Sequence, residues 1–132
     1  MIKQLSHLSL STKNLSKVKK FYVNILKFKI LHKFINEKRF TYGLFLNCGK
    51  KTCIEFFLTN SKRSNHGQLR HFCFEVNNIK AIAKKLKRYD KKIKVLRGKT
   101  DKVLQFMTKD FENNIIEFHQ YDKKSKIFKK YK

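Results

Sequence analysis

The chain of 132 residues has no proline, no tryptophan, four glycines, three cysteines and nine acidic residues against 33 Lys plus Arg. Ile, Asn and Phe are abundant beside these absences, the bias of an AT-rich genome as readily as of a selected surface. No apolar run approaches the roughly 20 residues of a membrane span, which excludes a spanning helix. The start, MIKQLSHLSL, has no charged-then-apolar pattern, so no secretion signal is expected. Cys48, Cys53 and Cys73 form no CxxC pair and no even framework, which excludes a disulfide scaffold and points to reduced thiols in the cytoplasm.

What is present is apolar material and positive charge. Hydrophobic residues make up 41% and aromatics 14%, with 13 Phe, enough for a core and too much for a disordered basic chain. The length suits one domain or two small modules. The formal charge is +24, and only five of the basic residues are Arg. The densest stretches are 84–94 and 123–132. Such charge suits nucleic acid or an anionic membrane surface. No nucleic-acid motif accompanies it, so a solvated Lys-rich surface is the simpler reading, one that still draws anions to a cleft.

Hydrophobic spacing divides the chain. Residues 4–12 alternate, with Leu8 and Leu10 against His7, Ser9 and Ser11, as in a half-buried strand. Asn14 can cap a helix whose apolar stripe is Val18, Phe21, Tyr22, Ile25 and Leu26. Strands are expected near 28–34, 39–47 and 51–59, with a turn at Gly49. The polar segment 61–68 reads as a linker. The pattern then restarts, with a strand over 70–76 and a helix capped by Asn78. Ile79, Ile82, Leu86 and Tyr89 lie on one face of that helix, and strands follow near 93–97, 103–109 and 114–120.

This is an internal repeat. His7 and His71 are 64 residues apart, as are Asn14 and Asn78, and Glu55 and Glu117 are 62 apart in similar apolar contexts. A carboxylate in an apolar strand is costly unless paired, hydrogen-bonded or bound to metal. Taken singly, each His reads as a hydrogen-bonded strand residue and Glu55 as a partner for Lys. The recurrence of all four in register favours a divalent ion, since two imidazoles and two carboxylates suit Zn, Ni, Co, Mn or Fe. Residues two apart share a strand face. Ser9 and Ser11 should therefore join His7, Cys73 and Glu75 should join His71, and His119 should join Glu117. The opposite faces, with Leu8, Leu10, Phe72 and Phe74, should pack under the helices. Cys73 reads more simply as a small buried filler than as a substrate contact. His119 reads equally as a proton shuttle or ligand-orienting residue and as a partly exposed strand end. His32 and His66 read as surface residues.

The stretches His7-Leu8-Ser9-Leu10-Ser11, Asn14-Leu15, Phe21-Tyr22 and Leu26-Lys27-Phe28 resemble the vicinal oxygen chelate superfamily, the glyoxalase/bleomycin-resistance/dioxygenase fold. So do residues 71–79 and 110–117, in order and with family-like spacing. Two glycines usual in that family are Lys27 and Asn113 here. The resemblance implies an α+β fold of two βαβββ modules that form a curled mixed sheet around a metal cleft. The modules would be 1–60 and 69–122, joined by the 61–68 linker and followed by a basic tail, 123–132.

Within that superfamily the His/Glu/His/Glu set is most similar to lactoylglutathione lyase (glyoxalase I). The resemblance implies His7, Glu55, His71 and Glu117 as metal ligands, Glu117 as main base and Glu55 in the mirrored role. Ser9, Ser11, Cys73 and His119 would contact substrate. It also implies one divalent ion per site, Ni or Co before Zn or Mn, and a cytoplasmic homodimer with interface metal sites. The reaction would isomerise the hemithioacetal of methylglyoxal and a thiol through an enediolate. Ser11 and Thr59 stand where the family carries an Arg and an Asn that bind glutathione, which leaves the thiol open. The competing readings are thiol transfer to fosfomycin, ring cleavage, and a non-catalytic small-molecule or nucleic-acid-binding module. Glu55 argues against the transferase, and the intact ligand set argues against a metal-free binder.

Overall fold

The alternation in the first half becomes strand β1 (His7–Thr12), whose residues run exposed and half-buried in turn up to the buried Thr12. Asn14 caps the following helix, its Oδ1 accepting from Ser16 N at 2.9 Å and Lys17 N at 3.2 Å, an arrangement that contributes about 1 kcal/mol. That helix, α1, is α-helical over Leu15–Val18 and continues as a π-helix over Lys19–Ile25. Strands β2 (Lys29–Ile35), β3 (Thr41–Asn47) and β4 (Cys53–Leu58) complete the unit. The computed structural model describes residues 1, 3–60 and 69–128, and the chain divides into two units, Met1–Ser64 and Asn65–Lys132.

In the first unit the sheet order is β1-β4-β3-β2, with β1 parallel to β4 and the other pairs antiparallel. A parallel pair needs a crossover connection, which α1, β2 and β3 supply. Val18, Phe21, Tyr22 and Ile25 bury the helix stripe, and Leu44, Leu46, Ile54 and Phe56 bury one face of the sheet. Tyr22 and Phe56 meet across that layer with ring centroids 4.8 Å apart. The other sheet face carries His7, Ser9, Ser11 and Glu55.

The second unit repeats this design. It contains β5 (Phe72–Glu75), α2 (Ile79–Leu86), β6 (Leu96–Arg97), β7 (Leu104–Lys109) and β8 (Ile115–Gln120), in sheet order β5-β8-β7-β6 with β5 parallel to β8. Asn78 Oδ1 accepts from Ala81 N at 3.0 Å, and Gln120 Oε1 accepts from Ile79 N at 2.8 Å, so both the cap and the end of β8 fix the helix start. Ile79, Ala83 and Leu86 are buried, as are Phe106, Ile116 and Phe118 of the sheet. Each unit is thus a βαβββ module with an open four-stranded mixed sheet, which is the α+β architecture the sequence implies.

Several expectations need correction. β1 starts at His7, and Leu5 is exposed. His71 lies just before β5 rather than inside it. The strand expected over 93–97 shrinks to two residues, because β6 pairs with β7 only through Leu96–Gln105 and Arg97–Leu104. Tyr89 falls beyond the end of α2, half exposed, and packs edge-on against Phe111 instead of continuing the helix stripe. Leu8, Leu10 and Phe74 are only half-buried. Both positions that lack the family glycine keep the left-handed backbone, with φ 65° at Lys27 and 67° at Asn113. Within the expected basic tail, Lys126 N donates to Asp101 O at 2.7 Å and Phe128 packs on Tyr121, so residues up to 128 are held against the second unit. The expected linker and His66 lie outside the described residues.

Candidate metal centre

The first unit places one imidazole beside one carboxylate. His7 opens β1, and Glu55 lies at the centre of β4. The parallel register sets Ser9 opposite Glu55, so His7 and Glu55 share a face one pleat apart. His7 Nε2 lies 3.7 Å from Glu55 Oε1, with side-chain exposures of 41% and 15%. Phe45, opposite Glu55 on β3, packs edge-on against the His7 ring at 5.5 Å and restricts its orientation. Ser9 and Ser11 lie exposed on the same side, as their parity predicts.

The second unit builds the equivalent pair and adds to it. His71 Nε2 lies 3.1 Å from Glu117 Oε2. Glu117 has Cys73 opposite it on β5 and His119 one pleat further along β8. His119 Nε2 comes within 3.1 Å of Glu117 Oε1. That contact lacks hydrogen-bond directionality, and the buried Nε2 has no hydrogen-bond partner. On the other side of the ring, Nδ1 lies 3.2 Å from the Tyr121 hydroxyl. Donor atoms of Cys73, Glu117 and His119 all lie within 4.8 Å of one another.

Two expectations about single residues change. His119 is buried at 8% exposure, so it is not a loose strand end. Cys73 is exposed as a residue and so is not a core filler. Its sulfur is partly covered beside Glu117, and that burial together with the Glu117 carboxylate pushes the thiol up to about 12. Tyr121 was missed because the alternation was followed only to the end of the strand. Its parity with His119 and Glu117 was the available signal.

Among the described residues neither Glu55 nor Glu117 is paired with Lys or Arg. Each carboxylate faces imidazole nitrogen, the donor type that completes a first-row divalent metal site. The orphaned Nε2 of His119 fits the same need, because a buried nitrogen lone pair is costly without a proton donor or a cation. These residues therefore form a possible ligand group.

The glyoxalase-like domain family matches residues 5–123. The chain belongs to that family. Solved glyoxalase-like folds agree over nearly the whole length. A glyoxalase family protein from Enterococcus faecalis is 22% identical, with a TM-score of 0.70 over 89% of this chain and 97% of its own. The genomically encoded fosfomycin resistance protein FosX from Listeria monocytogenes is 18% identical, with a TM-score of 0.70 over 96% and 100%. A lactoylglutathione lyase from Agrobacterium tumefaciens is 14% identical, with a TM-score of 0.67 over 90% and 94%. A search of curated protein sequences gives no match. At these identities the structures speak for the glyoxalase-like fold alone. Among the described residues no helix is long and apolar enough to cross a membrane.

Proposed function

We propose that this glyoxalase-like chain is a metal-dependent lyase of the glyoxalase I type, isomerising the hemithioacetal of a 2-oxoaldehyde such as methylglyoxal with a thiol. In this reading His7, Glu55, His71 and Glu117 hold one divalent cation, and the enzyme works as a cytoplasmic homodimer. The observation that supports it is the pairing of each half's strand carboxylate with imidazole, with no Lys or Arg partner among the described residues. When bound, the cation would polarise the substrate's vicinal oxygens and offset the charge of the enediolate.

The chain's own residues supply the proton chemistry. Glu117 takes the proton from the carbon beside the carbonyl and returns it to the neighbouring carbon, which one carboxylate oxygen can do without leaving its position. Glu55 occupies the mirrored position. His71 and His119 flank the two oxygens of Glu117 and fix its orientation. Ser9 and Ser11 offer hydroxyls on the His7 face for the substrate's polar end.

The test is direct. Purified protein is analysed for bound metal, reconstituted with Ni, Co, Zn or Mn, and assayed with methylglyoxal hemithioacetals of several thiols. Chelation should abolish turnover, and one metal should restore it. Glu117→Gln should fold and lose about 10²-fold or more in kcat, the usual scale for a general base; unchanged turnover refutes its role. Inactivity with every thiol and every metal refutes the lyase reading, and turnover of fosfomycin with a thiol would move the chain to the transferases.

A further inference from the structure

The two halves share His and Glu, but they differ at neighbouring positions on the same face. The repeat offset of 64 maps Cys73 onto Ser9, and the offset of 62 maps His119 onto Phe57. Cys53 shares the Glu55 face of β4, but among the described residues only the second half gathers a thiol, a carboxylate and an imidazole within 4.8 Å of one another. Three observations give this difference a chemical meaning. The donor atoms of Cys73, Glu117 and His119 lie within 4.8 Å of one another. His119 Nε2 is buried beside Glu117 Oε1 with no hydrogen-bond partner. His119 Nδ1 is engaged by the Tyr121 hydroxyl at 3.2 Å. A histidine that donates Nδ1–H to an outer partner presents Nε2 as a lone pair, which is how metal-bound histidines are commonly fixed. In that tautomer, two acceptors 3.1 Å apart need a positive charge between them.

We infer that the second unit by itself binds a thiophilic divalent cation through Cys73 Sγ, Glu117 and His119 Nε2, with Tyr121 orienting His119. The site shares Glu117 with the proposed lyase centre, so it rests on Glu117 being a ligand, but it needs neither His7 nor Glu55. The set of one sulfur, one nitrogen and one oxygen with an open fourth position favours tetrahedral zinc, for which cobalt(II) is the spectroscopic stand-in. Ligands 2.0–2.3 Å from a tetrahedral ion lie about 3.3–3.8 Å apart, so closing the 4.8 Å spread takes about 1 Å of side-chain movement. His71 Nε2 lies 3.1 Å from the other oxygen of Glu117.

The experiment is a cobalt(II) titration of the full chain, followed by absorption. Thiolate ligation produces an intense near-ultraviolet charge-transfer band and strong visible ligand-field bands. The unmodified protein should show both at one equivalent. Cys73→Ser should lose the charge-transfer band, with its circular dichroism unchanged, whereas the double variant Cys48→Ser, Cys53→Ser should keep it. Glu55→Gln should also keep it. Tyr121→Phe should retain the band and weaken cobalt affinity about 10-fold, the scale for losing an outer partner of a metal-bound histidine. The inference is overturned if cobalt does not bind, if it binds without the thiolate band, if the band survives Cys73→Ser and Cys73→Ala, or if it disappears in Glu55→Gln. Hemithioacetal turnover is measured on the same samples. A band without turnover refutes the lyase reading alone, and turnover without a band refutes only this site.

Discussion

Replacing Lys27 by glycine should stabilise the protein, although it removes a side chain and adds none. Lys27 follows helix α1 with φ 65° and is exposed. Around it the chain closes the helix end through Leu26 N to Phe21 O at 3.0 Å and Phe28 N to Tyr22 O at 2.9 Å. The first bond has the i→i+5 span of the π-helix, and the second wraps the left-handed residue as glycine does at helix ends. Tyr22 and Phe28 pack together at 5.9 Å, which fixes this exit. A left-handed backbone costs a residue with a Cβ about 1–2 kcal/mol. Glycine removes that cost and adds about 0.5–1 kcal/mol of backbone entropy loss. The net gain is about 0.5–1 kcal/mol, or about 2–4 °C in Tm for a chain of this size. Removing one cation from a chain of charge +24 is itself favourable, so Lys27→Ala is the control: it loses the same charge and keeps the strain. Lys27→Gly should exceed Lys27→Ala in Tm and in urea midpoint, and Asn113→Gly should gain less, because Asn tolerates this region better. Equal Tm values for the Gly and Ala variants would refute the strain argument.

Two further outcomes follow from the second unit. Asp110 is buried and accepts from Glu112 N and Asn114 N at 2.9 Å and from Asn114 Nδ2 at 2.6 Å, shaping the turn that leads into β8. Asp110→Ala leaves buried donors without this partner and should cost about 2–4 kcal/mol, measured as a lower urea midpoint at constant m-value; a loss below about 0.5 kcal/mol contradicts this account. Arg97 holds Asp122 by two bonds, at 2.7 and 3.1 Å, and keeps its carboxyl well below the usual carboxylate range. A lowered folded-state pKa stabilises above the unfolded value, near 4, and that benefit fades as pH falls below it. Asp122→Asn should therefore lower Tm at pH 7, by an amount that shrinks as pH falls from 4 towards 2, and a Tm difference independent of pH refutes the assignment.

The fold was legible because period-2 and period-3.6 patterns are strong here. Asn14 and Asn78 mark both helix starts, and both Asn side chains cap as their position requires. The failures have physical causes. Periodicity assigns a face but not the length of pairing, so it could not show that β6 holds only two residues. The π-helical stretch uses the same i, i+3, i+4, i+7 stripe as an α-helix, with Val18, Phe21, Tyr22 and Ile25 all buried, so a stripe does not distinguish them. The face-sharing rule placed His119 with Glu117, but its burial depends on its neighbours across the sheet and on Tyr121, which lies beyond the strand end.

The repeat also directed attention to what the halves share. His7 with Glu55 and His71 with Glu117 were legible because they recur in register. A duplicated sheet begins with equal sites, and equal sites cannot assign different roles to their carboxylates. The first pair lies 3.7 Å apart with Phe45 packed on its imidazole. The second lies 3.1 Å apart, and its carboxylate is flanked by two imidazoles and a thiol. Among the described residues the closest gathering of donor atoms is therefore the one around Glu117. A cation bound there would be held mainly by β8 and β5, leaving Glu55 the freer carboxylate. If turnover proves more sensitive to Glu55→Gln than to Glu117→Gln while the thiolate–cobalt band persists, the division of labour is reversed: Glu117 holds the cation and Glu55 moves the proton.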